Sequence, residues 1–135
     1  MNDGALRCPR CSALALALCL TAWGKAYAQP AILVQDFPAH ATAPTIQALE
    51  SAVSEQVFRA RFADGQQLRY QFKGVFLYVD TSRGGRDTGR WHASEGQLCA
   101  DFRQFPSGCA DVRQNGGGLW LRRTSTGEVT RLMRD

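Results

Sequence analysis

The chain has 135 residues, with 16 Lys and Arg against 12 Asp and Glu, a formal net charge of +4. Arg7, Arg10, Lys25 and Asp3 lie in residues 1–28; setting those aside leaves thirteen basic and eleven acidic side chains on 107 residues, a net of +2. This length suits one domain, and so mild a charge argues against nucleic-acid binding, which needs a concentrated basic patch.

Residues 1–28 read as a signal peptide. Two arginines precede the apolar run "SALALALCLTA" (12–22), too short to span a membrane as a helix, and "AYA" (26–28) is a cleavage site. The expected location is therefore periplasmic or secreted, after cleavage near Ala28. A second cut is open at Ala22-Trp23-Gly24. Lipidation at Cys19 is a further alternative, although Leu18 is larger than the small residue that such cleavage takes. The "CPRC" at 8–11 leaves with the leader, so Cys99 and Cys109 are the two cysteines of the mature chain. An even pair in an exported domain predicts a disulfide.

Residues 29–42 carry no clear period and form an extended lead-in; residues 43–135 form a single β-rich domain. Ile46, Leu49 and Val53 recur at helical spacing, predicting one short helix from about 43 to 53, with Thr42 as its N-cap and Pro44 in its first turn. From residue 56 the period becomes two. "VFRARF" and "QLRYQF" alternate around the hairpin signal Asp64-Gly65. "VFLYV" (75–79) is apolar throughout. "TGRWHA" and "QLCADF" flank Ser94-Glu95-Gly96, and "CADVRQ", "LWLRR" and "EVTRLM" follow, broken by glycine-rich turns. About eight short strands predict an all-β fold, mainly an antiparallel meander, as a sandwich or a small barrel. If Cys99 faces Cys109, Gln97 faces Asp111, and the bridge joins neighbouring strands with Leu98 and Phe102 on the opposite face.

Few residues suggest chemistry. His40 and His92 are the only histidines, and no spacing fits a metal site or a nucleophile–base pair. Asp101 and Asp111 share a predicted face with Arg103 and Arg113, which suits cross-strand ion pairs better than acid–base work. The expectation is no catalytic residue, no metal and no cofactor. The arginines are more suggestive: Arg59, Arg61, Arg69 and Arg90 all fall opposite the apolar residues of their strands. As neighbours they would form a cationic face suited to carboxylates and phosphates.

Gly89-Arg90-Trp91 resembles the Gly-x-Trp of lipocalins, which in that family lies on the first strand; here it lies past the middle of the mature chain. A wider string, "DGQQLRYQF", "TGRWHASEGQLC", "GCADV" and "LWLRRTSTGEVTRL", resembles a group of small exported proteobacterial proteins of unknown function, over roughly residues 46–133. That resemblance implies an exported β domain with a disulfide, matches Gly89, Trp91, Leu98, Cys99 and Cys109 as scaffold positions, and implies no activity. The functional expectation is a non-enzymatic envelope binding or interaction module. Its partner would be an anionic envelope component or another envelope protein, met by the arginine-rich face. The alternative is a lipocalin-like carrier of a small apolar ligand.

Overall fold

Period-two alternation closes on itself in the computed structural model, which describes residues 32–135. After helix α1 (Ile46–Val53) come β1 (Val57–Arg61), β2 (Gln67–Lys73), β3 (Phe76–Thr81), β4 (Arg86–Ser94), β5 (Gln97–Phe102), β6 (Gly108–Asn115), β7 (Gly118–Arg122) and β8 (Val129–Arg134). Each strand pairs antiparallel with the next, and β8 returns to β1. The fold is an eight-stranded up-and-down barrel, which decides between the sandwich and the barrel that the strand count leaves open. The predicted leader (1–28), with Cys19 and the "CPRC", lies outside the described residues.

The strand faces follow the sequence pattern. Phe58, Ala60, Phe72, Leu77, Val79, Ala93, Leu98, Ala100, Val112, Leu119, Leu121 and Leu132 are buried in one core, while Arg59, Arg61 and Lys73 stay exposed on the outer face. The Asp64-Gly65 hairpin forms, with Gly65 at φ 81°. Cys99 and Cys109 are bonded across β5 and β6, in the register Gln97↔Asp111, Leu98↔Ala110, Cys99↔Cys109. The sequence predicts that register.

The helix is shorter at its start than the period suggests. Thr45, not Thr42, is the N-cap: its hydroxyl accepts the Ala48 N–H at 3.2 Å. Thr42 instead makes a two-way backbone bridge with Gln114 at the end of β6. Pro44 is fully buried between the two, and its carbonyl accepts the Gly96 N–H in the β4–β5 turn. The chain is thus committed to the barrel until residue 44 and can start a helix only after it. Leu49 and Val53 are wholly buried against the barrel core, whereas Ile46, on the predicted apolar face, stays exposed. Beyond the helix, Glu55 accepts the Gly74 N–H of the β2–β3 turn and the Gln56 carbonyl accepts from Phe72. Segment 42–56 therefore lies across the barrel end that carries the β2–β3, β4–β5 and β6–β7 turns, and seals it.

Gly89 explains its own identity. A Cβ there would come within 2.6 Å of the Asp101 carbonyl oxygen and 2.8 Å of the Phe102 ring on β5. Two residues on, Trp91 meets Phe72 edge-to-face at 5.2 Å and donates its indole N–H to the Gly74 carbonyl at 2.9 Å. The Gly-x-Trp is a packing device: the glycine lets β5 approach, and the tryptophan spans from the core to a turn.

Two stability predictions follow from this packing. Replacing both bridge cysteines, Cys99→Ser with Cys109→Ser, should cost about 3 kcal/mol by loop-closure entropy, read as a lower midpoint in urea unfolding. Gly89→Ala should cost about 1–3 kcal/mol through overpacking, with a matching fall in Tm; an unchanged Tm would mean that β5 yields freely.

Candidate functional site

The barrel end opposite α1 is built differently. It carries the β1–β2, β3–β4, β5–β6 and β7–β8 loops, and a cavity of about 460 Å³ opens there into the barrel. An eight-stranded barrel has room either to fill with side chains or to hold one small ligand. Leu68, Phe72, Val79, Trp91, Ala100 and Leu121 are among the apolar side chains of its wall. Polar groups are few and gather near the mouth: Gln66, Thr81, Ser107, Arg123, Thr124, Ser125 and, one step further in, Tyr70.

Tyr70 faces inward from the middle of β2, between Leu68 and Phe72. Burial pushes its hydroxyl above the usual phenol range, and the nearby Arg123 charge pulls back only part of the way, so it stays a neutral donor. Arg123 is half-buried and fixed from three sides. Its guanidinium lies over the Phe62 ring at 4.4 Å, pairs with the Asp64 carboxylate at 3.1 Å and donates to the Gln66 side-chain oxygen. Asp64 is shared with Arg83 at 3.5 Å. The backbone N–H of Gln66 holds the Asp64 carboxyl below its usual value, against a smaller opposing effect of burial, with Arg123 and Arg83 helping.

A second carboxylate shapes the mouth. Asp87 on β4 is buried and turned inward. One oxygen accepts the N–H groups of Gln104 and Phe105, both at 2.7 Å; the other accepts from Thr88. It thereby pins the β5–β6 loop, whose Phe105 meets Phe102 edge-to-face with ring centres 5.9 Å apart and helps line the cavity. Burial alone would raise its pKa, but the N–H groups of Phe105, Gln104, Thr88 and Arg103 outweigh that and hold the carboxyl below its ordinary value. Glu128 is likewise buried and accepts the Ala63 N–H at 2.7 Å, tying the β7–β8 loop to the β1–β2 loop.

The structure distributes the arginines named from sequence. Arg59 and Arg69 face each other across β1 and β2. Asp135 bridges both, at 2.8 and 3.5 Å, and Arg69 also lies 3.7 Å from Asp80, which Arg86 approaches from β4. Arg61 lies exposed opposite Gln67. Arg90 stands apart on β4, over the Phe76 ring at 5.9 Å and opposite Asp101 on β5. Asp101 and Asp111 are not brought together, being four register positions apart; Asp111 pairs with Arg122 and accepts from Gln97. Arg113 turns away to the carbonyls of Gly96 and Val112. His92 is exposed. No cluster of three or more His, Cys, Asp or Glu among the described residues is placed to hold a metal. Sequence reasoning missed Asp87, Tyr70 and Arg123; only Tyr70 left a signal, as the sole hydroxyl on the apolar side of its strand.

Comparison with protein-family models, curated proteins and solved structures finds no match. Among the described residues, no helix is long and apolar enough to cross a membrane.

The Asp87 bonds carry a pH prediction. A carboxyl whose folded-state pKa is lowered contributes stability above its unfolded value of about 4 and loses it as pH falls. Asp87→Asn should therefore speed amide exchange at Gln104 and Phe105 at neutral pH and flatten the acid limb of the stability profile. Unchanged exchange at both amides would show that the loop holds without the carboxylate.

Proposed function

We propose that the protein is a non-enzymatic binder of a small, mainly apolar molecule held inside the barrel, the carrier alternative of the sequence reading. The cavity carries this reading. It opens at one end, its wall is apolar, its few polar groups converge near the mouth, and its size falls within the roughly 300–1,000 Å³ common to small-molecule sites. The sealed end gives it a floor: Leu49 and Val53 block passage through the barrel. Export to the periplasm or beyond, after cleavage near Ala28, belongs to the same proposal. The Cys99–Cys109 disulfide supports it, because such bonds persist in oxidising compartments.

The outer arginines provide a second reading, contact with an anionic envelope component. Its support is Arg90 beside the exposed Val75, Phe76 and Tyr78, a basic and aromatic patch on β3 and β4. The cavity is the better-supported site because it encloses its ligand, whereas the outer arginines lie on an open face with Arg90 on β4 apart from Arg59 and Arg69 on β1 and β2.

The neutral dye N-phenylnaphthylamine tests the choice. Bound in the cavity it should brighten and raise the melting temperature, with about 2.7 kcal/mol of stabilisation at a hundredfold excess over Kd. Ala110→Trp, which puts a large ring on the cavity wall, should abolish the effect, and added salt should leave it unchanged. Binding that survives Ala110→Trp would place the dye elsewhere. Salt-sensitive retention of an anionic envelope fraction would favour the outer face.

A further inference from the structure

The apolar cavity has one cationic side chain in its lining, Arg123, and an inward-facing phenol beside it, Tyr70. Among the described residues the Tyr70 hydroxyl has no hydrogen-bond partner, yet it is accessible from the cavity. The phenol turns to an apolar space with no acceptor among the described residues, which leaves its donor free for an acceptor on a ligand. Arg123 is rigid for a side chain of its type: Phe62 supports one face, and Asp64 and Gln66 fix its edge. Its carboxylate partner is divided, since Asp64 also serves Arg83. Glu128 and Asp87, the other carboxylates at the mouth, are committed to backbone N–H groups, Glu128 to Ala63 and Asp87 to Gln104, Phe105 and Thr88, and neither forms an ion pair among the described residues. Two guanidinium groups thus share one paired carboxylate at the mouth, and one of them lines the cavity.

Resting on the cavity reading above, we propose that the ligand is an amphipath with a carboxylate head, bound head-outward. Its planar monoanionic head meets the Arg123 guanidinium and accepts the Tyr70 hydroxyl, and its apolar tail runs inward along Leu77 and Phe72 towards Trp91. The polarity of the barrel sets the orientation. Arg123 follows β7 at the mouth and Tyr70 sits one step in. Phe72 and Trp91 lie toward the end sealed by α1, where Trp91 is tied to the β2–β3 turn. A guanidinium fork suits a planar carboxylate in two-point geometry, and a charge-assisted bond in a partly desolvated site is stronger than its neutral counterpart.

Decanoate and decanol, matched in chain and differing in head, test this by displacement of N-phenylnaphthylamine at neutral pH. Wild-type protein should bind decanoate about tenfold or more tightly than decanol, the worth of one charge-assisted hydrogen bond. Tyr70→Phe, which removes only the unpartnered hydroxyl, should weaken decanoate several-fold and decanol less, because an alcohol head accepts only a neutral hydrogen bond from it. Arg123→Gln should erase the preference; if that variant melts early through loss of the Asp64 contact, Tyr70→Phe decides alone. Equal affinity for the two probes in the wild type, or an undiminished decanoate preference in Tyr70→Phe, would overturn the carboxylate assignment while leaving the cavity reading intact. Failure of the dye and both alkyl probes to bind would overturn both.

Discussion

Everything in this barrel depends on the closure of β8 onto β1. A sheet of eight strands that stopped short would leave two edges of unpaired N–H and C=O groups, a template for pairing with other chains. Yet the closing seam is short in register: Phe58 faces Arg134, Arg59 faces Met133, and the Asp135 N–H reaches the Val57 carbonyl. Toward the mouth, side chains take over. The Thr130 hydroxyl donates to the Arg61 carbonyl and Glu128 accepts from Ala63. Across the outside, the Asp135 carboxylate clamps Arg59 of β1 and Arg69 of β2. The lead-in adds to the same region, since the Val34 carbonyl takes the Val129 N–H. The seam is closed by backbone at the helix end and by side chains at the mouth.

That asymmetry matches the contents of the barrel. At the helix end, Leu49 and Val53 enter the core beside Phe58 and Phe72, and the turns are tied down by the Glu55 carboxylate and the Pro44 carbonyl. At the mouth none of the described residues enters as α1 does at the other end, and the wall carries small residues, Ala100 and Ala110, on adjacent strands. Interiors are normally packed close to crystal density. Small side chains on the wall beneath an uncapped end therefore leave space that a better-filled barrel would have spent on stability. The polar groups that rim this space are held by one another, which keeps their geometry before any ligand arrives and lowers the ordering cost of binding.

Local and near-neighbour features were legible in the sequence; long-range ones were not. Alternation from Val57 to Met133 gave the strands, Asp64-Gly65 gave a hairpin, and the pairing of Cys99 with Cys109 fixed the β5–β6 register by itself. Closure was hidden because β1 and β8 are separated by most of the domain, and strand count alone does not distinguish a sandwich from a barrel. The helix cap went to Thr45 rather than Thr42 because Thr42 is bound to Gln114, a tertiary contact that local capping rules cannot see. Asp87 sits in the polar, glycine-rich stretch "TSRGGRDTG" (81–89), where nothing local marks it, because its work is done on amides seventeen and eighteen residues away. Alternation puts the arginines on the outer side of their strands but cannot show that Asp135, which pairs with Arg59 and Arg69, comes from the far side of the closing seam from Arg69.

The disulfide and Asp87 act on the same piece of chain, in different ways. Cys99 and Cys109 bracket the β5–β6 loop at its base, limiting how far β5 and β6 can separate whatever the loop does. Asp87 holds the loop at its tip, through the amides of Gln104 and Phe105, and so decides whether Phe105 lies against Phe102 over the cavity. The covalent restraint is indifferent to pH and the carboxylate restraint is not. Protonating Asp87 weakens the acceptor that holds the Gln104 and Phe105 amides. Below the carboxylate range the mouth loop therefore loses its tip contact while the strands beneath it remain stapled. The loop is the part of the cavity wall that can loosen without the barrel opening.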